Sequence, residues 1–268
     1  MTIRVPIAGA VLAFCLAATA RAELPELEPA QMDSAVFLET ISLPSPGEFF
    51  AAVDKQFEPN WSKLLRPSVP VTTPQRDHLA LQVGVLLADC HVAIEARDGQ
   101  SAKNLGRDIL NLAKKLNVSQ NVVARGRNIS DLADKGDWST LREELDAMQN
   151  DIRLSMQEQN DYDLLVFLMI GSWVRQMDIA SGLLLHSPNQ AASELLVQPA
   201  ILEHLLERLR GMPEKSRANP LAQKFLTRLE ALQPRMAKNT PLNEESTRDI
   251  ADTMSALLNA SAEPPPKP

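Results

Sequence analysis

Cysteine is nearly absent. The 268-residue chain has two, Cys15 and Cys90. Cys15 lies in an apolar N-terminal leader, so a chain freed of that leader has no internal disulfide and must be held by a packed core, for which its length is ample. Cys90 sits in an apolar stretch and reads as a buried structural thiol. Aromatic residues make up 4% of the chain, with Tyr162 as the single tyrosine, which argues against a stacking platform for sugars. Trp61 and Trp138 fall near expected helix starts and read as packing anchors. Glycine is scarce, at ten residues, and no segment alternates apolar and polar residues as a half-buried strand would. The expected class is all-α, a multi-helix bundle of antiparallel helical hairpins.

Catalytic signatures are missing as well. The chain has no G-x-S-x-G elbow, H-E-x-x-H helix, Walker loop, G-x-G-x-x-G turn or C-x-x-C-H haem site. No histidine has a glutamate three positions before it, so the E-x-x-H pairs of di-iron bundles are absent too. The expectation is a protein that is not an enzyme and that carries no metal and no cofactor. The formal net charge is -7, and losing Arg4 and Arg21 with the leader makes the remainder more acidic still. An acidic chain lacks the basic patch that a nucleic-acid partner demands.

The leader itself reads as a secretory signal peptide over 1–22. Arg4 supplies the positive end, Val5 to Ala18 the apolar core, and Ala20-Arg21-Ala22 the small residues that suit cleavage before Glu23. The minor alternative is a lipoprotein anchored through Cys15, which the bulk of Phe14 disfavours. A retained anchor would want roughly 20 apolar residues, more than the leader offers, so no transmembrane anchor is expected after cleavage. N-x-S sequons at Asn60, Asn117, Asn128 and Asn259 would matter only in a eukaryotic secretory pathway.

Proline divides the remainder, because it ends helices and is excluded from their interiors. Residues 23–72 form a proline-punctuated arm. A helical domain follows over 73–260, with a proline-free core at 75–187 and shorter helices at 188–260. The tail at 261–268, with Pro264-Pro265-Pro266, is expected to be disordered. In the arm, Ser45-Pro46-Gly47-Glu48 joins an N-cap, a first-turn proline and a capping-box acid, predicting a helix over 46–57 with Phe49, Phe50, Val53 and Phe57 on its apolar face.

In the core zone, Thr73-Pro74 predicts a helix start and Gly99 its stop. Leu79, Leu81, Val83, Leu86, Leu87, Cys90 and Ile94 cover most of that helix, which is expected to be buried. Further helices are expected from Ser101, from Ser119 to Gly136, and over 139–159, the last with Leu141, Leu145, Met148, Ile152 and Met156 in one stripe. Leu164 to Val174 is apolar all round and predicts the central core helix. Its run is too short for a membrane span.

Gly84 and Gly171 both follow apolar runs inside these two helices. Ala93 and Ala180 repeat at the same offset, and each helix is expected to be followed by a capped second one, from Ser101 and Ser187. Helix-interior glycine is costly, so both read as sites of close helix packing, and an internal duplication or tetratricopeptide-like array is one expectation. The polar residues embedded in the two helices are the candidate ligand site: Asp89 and His91 on the first, Trp173, Arg175 and Asp178 on the second. His91 and Glu95 share a face, where a metal or proton role stands against an ion-paired edge. Arg175 and Asp178 pair at i,i+3, and an interhelical salt bridge is the stronger reading. His204 and Glu207 are expected on a charged surface.

Leu79-Ala80-Leu81-Gln82-Val83-Gly84-Val85 with Ala88-Asp89, then Lys114-Lys115-Leu116, then Gly171-Ser172-Trp173 with Ile179-Ala180, resemble a family of uncharacterised helical envelope proteins and lipoproteins of Gram-negative bacteria. The resemblance covers about 78–185. Its motifs are core glycines and aliphatics, and Arg175 stands where the family pattern has an acid. It implies a periplasmic or envelope location and supplies no activity; the partner expected is another envelope protein. The leading expectation is a non-enzymatic periplasmic helical protein acting as an interaction or structural module. The alternative is a ligand-binding or sensing domain with a pocket between the helices carrying Gly84 and Gly171.

Overall fold

The computed structural model describes residues 44–67, 73–118, 120–237 and 242–262. The leader with Cys15, the first part of the arm, the Ser119 cap and residues 263–268 of the tail lie outside them, while Ser261 and Ala262, expected to be disordered with that tail, are helical. Among the described residues the fold is all-α without strands, and neighbouring helices pack with antiparallel contacts.

The arm helix α1, Pro46–Phe57, forms as its sequence requires. Ser45 Oγ accepts from the Glu48 backbone N–H while Glu48 reaches back to the Ser45 N–H, closing the capping box. A strap follows, with a short 3-10 turn at Trp61–Leu64. The next five helices are α2 (Arg76–Glu95), α3 (Gly99–Lys115), α4 (Gln120–Lys135), α5 (Trp138–Glu158) and α6 (Tyr162–His186). They are joined by turns of one design. Arg97, Asn117, Gly136 and Asn160 each adopt positive φ just past a helix. The N–H of the residue after each one bonds back to a carbonyl inside that helix, as Asp98 to Ala93 at 2.9 Å and Asp161 to Met156 at 2.8 Å. Arg97 has no glycine's freedom, so this turn stores about 1 kcal/mol.

These turns correct several expected boundaries. Gly99 does not stop α2; it opens α3, because Asp98 caps the Ser101 N–H at 2.9 Å. Likewise Asp137 caps Thr140, so α5 begins at Trp138 rather than Ser139. The first core helix starts at Arg76, and Thr73 instead accepts from the Gln75 N–H. After α6 comes the four-residue α7, Gln190–Ser193, in place of the capped second helix expected from Ser187. The remaining helices, α8 (Pro199–Gly211), α9 (Glu214–Arg217), α10 (Pro220–Glu230) and α11 (Glu244–Ala262), include α8 and α10 with proline at their first turns.

At the centre, α2 and α6 run parallel. Arg76 meets Asp161, the Gly84 turn meets the Gly171 turn, and Asp89 meets Arg175, in the same order along both helices. A Cβ on Gly84 would collide with the Leu168 carbonyl and lie 2.8 Å from the Ser172 nitrogen. A Cβ on Gly171 would collide with the Leu81 carbonyl and lie 3.2 Å from the Val85 nitrogen. The two backbones touch, and only glycine permits it. By length and composition α2 and α6 are each apolar enough to cross a membrane, but 94% and 89% of their most apolar windows are buried inside the protein. The expectation that the central run is too short for a span understated α6: its apolar run ends at Arg175, yet the helix continues to His186.

The other helices cover this pair. α1 packs on both members, α11 lies along α6, and Gln82 of α2 donates to Ser261 of α11 at 2.7 Å. The α5 stripe expected from periodicity is buried throughout.

Candidate functional site

The buried polar residues of α2 and α6 separate into three neighbourhoods. The first is an ion network around Asp89 and Arg175, which are 5% and 3% exposed. Asp89 Oδ1 accepts from Arg175 Nε at 2.6 Å, and its Oδ2 from Arg66 Nη2 at 2.6 Å. Arg175 Nη1 donates to Asp178 Oδ2 at 2.5 Å, and Nη2 to the Leu64 carbonyl at 2.6 Å. The network therefore joins α2, α6 and the strap, and each guanidinium nitrogen of Arg175 has an acceptor. A buried ion pair of this kind is tolerated because each Asp89 oxygen has a donor and each Arg175 nitrogen an acceptor.

The second neighbourhood surrounds His91, which is fully buried. Its Nε2 stands 3.3 Å from Asp146 Oδ1 on α5, without the alignment of a hydrogen bond, and neither ring nitrogen has a hydrogen-bond partner. Gly47 of α1 lies over the ring, where a Cβ would be 3.1 Å from His91 Cε1. One turn on, Glu95 accepts from Arg142 Nη2 at 2.6 Å. His91 and Glu95 thus face α5 separately, each opposite its own residue there. The third neighbourhood is Trp173, whose indole N–H donates to Gln198 Oε1 at 2.8 Å.

Of the five candidate ligand residues, then, Asp89, Arg175 and Asp178 are brought together, while His91 and Trp173 point elsewhere. The sequence reading missed the residues that complete the network, Arg66 and the Leu64 carbonyl. Arg66 stands in a proline-rich stretch without periodicity, so nothing in the spacing marked it. It also missed Asp146 and Arg142, whose order along α5 mirrors His91 and Glu95 on antiparallel α2.

His204 corrects another expectation. It is buried rather than set on a charged surface, and burial together with the Arg208 charge holds its imidazole below the usual histidine range, against the opposing pull of Glu207. Cys90 matches its expected role: burial and then the Asp89 charge push its thiol up to about 12. Among the described residues, no group of three or more His, Cys, Asp or Glu is placed to hold a metal. An open cleft of about 280 Å³ lies between α4 and α5, lined by Asn121, Ala124, Arg125, Asn128, Glu144 and Asp151. None of the five candidates borders it. Arg125 spans the cleft to Asp151 at 2.6 Å and to Glu144 at 3.2 Å.

No protein-family model, no curated protein and no solved structure matches this chain.

Proposed function

We propose that this chain is a non-enzymatic, exported helical protein of the Gram-negative envelope that acts as an interaction or structural module. The observation that carries this reading is the engagement of Arg175, each of whose three nitrogens donates to Asp89, Asp178 or the Leu64 carbonyl. The strongest charges in the core are used to fix helices and strap to one another. That use suits a scaffold, since a pocket for a small ligand keeps convergent polar groups available. The second reading, a ligand-binding domain among Asp89, His91, Trp173, Arg175 and Asp178, retains support only for the Asp89–Arg175–Asp178 group.

We read the helices as an internally duplicated array. Exchanging residue i with i+87 carries Gly84, Leu81 and Val85 onto Gly171, Leu168 and Ser172, and the Gly84 contacts become the Gly171 contacts. Two parallel helices related in this way behave as equivalent first helices of two units, which is the packing a tetratricopeptide-like array uses.

The surface offers a partner polar rather than apolar contact, as Leu154 is the one large exposed hydrophobic residue among those described. The test is expression of the full chain in a Gram-negative host with photocrosslinkers at Ala124 in the α4/α5 cleft and at Leu154. A mature N-terminus at Glu23 and a discrete crosslink to an envelope protein are expected. Retention in the cytoplasm, or turnover of a metabolite panel that Asp89→Asn abolishes, would remove the reading. A mature chain beginning at Cys15 would replace export in free form with lipid anchoring.

A further inference from the structure

The strap over the Asp89–Arg175 pair has the form of a bound peptide. Between Glu58 and Pro67 only Trp61 is buried. It packs edge-on to Phe50 with ring centroids 5.5 Å apart and donates to Asp54 at 2.9 Å. Beyond it the strap presents two groups to the core, the Leu64 carbonyl to Arg175 and the Arg66 guanidinium to Asp89. The core side of these contacts is fixed, since the Asp89 and Arg175 side chains are 7% and 4% exposed, whereas that of Arg66 is 33% exposed.

Removing the strap in thought shows what the core lacks. Asp89 and Asp178 then share one cation, Arg175, so a negative charge is left uncompensated at Asp89 Oδ2. Arg175 Nη2 is left without an acceptor. A carboxylate set among apolar helices and stripped of its cation is costly even where water replaces the strap, so departure of the strap favours arrival of another cation. The complement is specific in shape: a main-chain carbonyl and, two residues later, a guanidinium. Arg66 makes its contact through one nitrogen, Nη2, and arginine suits this half-buried position better than lysine because a guanidinium is more weakly hydrated than an ammonium and keeps its charge. The acidic charge of the whole chain would draw a basic segment toward it.

We propose that the Asp89–Arg175–Asp178 group is a seat for an extended, arginine-bearing peptide segment, filled in cis by Leu64 and Arg66 and opened to a partner protein's arginine when the strap is displaced. The proposal rests on the interaction-module reading and names the chemistry of its partner. The strap then acts as an internal competitor, setting a threshold that a trans segment must exceed.

The test uses the full chain and a fluorescently labelled synthetic peptide of the strap, Asn60 to Pro67, read by anisotropy. The Arg66→Ala chain is expected to bind it at least about tenfold tighter than the wild-type chain, whose seat is occupied at high effective concentration. A peptide carrying Arg66→Ala should lose that binding, as should a chain combining Arg66→Ala with Asp89→Asn. Equal binding to wild-type and Arg66→Ala chains, or binding indifferent to the peptide arginine, overturns the proposal. Should Trp61 alone keep the strap seated, adding Trp61→Ala frees it, and absence of binding to that folded double variant overturns the proposal equally. These outcomes are independent of the envelope crosslinks, so the seat and the module reading fail separately.

Discussion

The α2/α6 pair and the α3–α5 hairpins both bury apolar side chains, but they reach close packing by different means. In the hairpins, single stripes such as Leu141, Leu145, Met148, Ile152 and Met156 face inward, and ion pairs such as Arg125–Glu144 and Arg125–Asp151 flank them and join neighbouring helices. Within these helices Gly106 and Gly126 meet side chains: a Cβ on Gly106 would lie 3.1 Å from Ile129 Cγ2, and one on Gly126 would meet the end of Leu110, while Gly99, at the first turn of α3, faces the Ala133 carbonyl at 2.9 Å. In the central pair the glycines meet peptide groups. A side chain can change rotamer to admit a methyl group, whereas a helical backbone cannot move without its neighbours. Tolerance to substitution should therefore fall sharply from the hairpins to the central pair.

The largest break in that comparison comes from the glycines themselves. Gly84→Ala or Gly171→Ala should force α2 and α6 apart and lose upwards of about 3 kcal/mol. Gly106→Ala and Gly126→Ala should stay within about 1 kcal/mol of wild type, because the better helix propensity of alanine offsets local crowding. Urea denaturation midpoints measure all four, and similar losses across the set would erase the distinction.

Charge sharpens it next. Arg175→Met leaves the buried Asp89 with Arg66 alone and the half-buried Asp178 without its cation, and should lose about 3 kcal/mol. The Arg235–Asp249 pair, with both side chains more than 40% exposed, is a surface contrast. Arg235→Ala should change stability by less than about 0.5 kcal/mol. Chemical denaturation of the two variants in parallel decides between a core network and an incidental one.

How far the sequence exposes this contrast depends on the kind of contact. Helix identity was legible because apolar periodicity and the Ser45–Glu48 capping box are local. The burial of α2 and α6 was legible because their apolar residues go all round. The helix starts at Gly99 and Trp138 were misplaced, since the serines at 101 and 139 resemble caps while Asp98 and Asp137 perform the capping. The site was legible only on its helical side. Asp89 and Arg175 stand out as charges in apolar helices, but Arg66 and the Leu64 carbonyl reach them from an aperiodic strap. His91 and Trp173 looked like site members because they are near Asp89 and Arg175 in sequence. Helical geometry turns residues two positions apart to well-separated directions, and it sent them to α5 and to Gln198.

A smaller effect tests burial outside the central pair. His204 on α8 is held below its ordinary value of 6.5 by burial and by Arg208. The folded state therefore takes up this proton less readily than the unfolded state does. Above pH 6.5 both states are neutral there and the residue adds no pH dependence. As pH falls through 6.5 the unfolded chain protonates first, so stability declines toward the depressed folded value. Stability measured at pH 7.5 and 5.5 should fall less for His204→Gln than for wild type, and equal slopes would mean that other groups govern this range.

The smallest expected effect lies on α6 itself and isolates the cause of the largest. Gly182 is helical like Gly171 and eleven residues further along the same element, yet a Cβ there would meet nothing within 4 Å. With open space around it, Gly182→Ala removes only the backbone entropy penalty of glycine and should stabilise by up to about 1 kcal/mol. The same substitution on one helix should thus change sign between positions 171 and 182. If Gly182→Ala instead destabilises, α6 is sensitive to alanine along its length, and the loss at Gly171 could no longer be assigned to the Leu81 carbonyl. A gain at 182 beside a loss at 171 assigns it to the place where the two backbones touch.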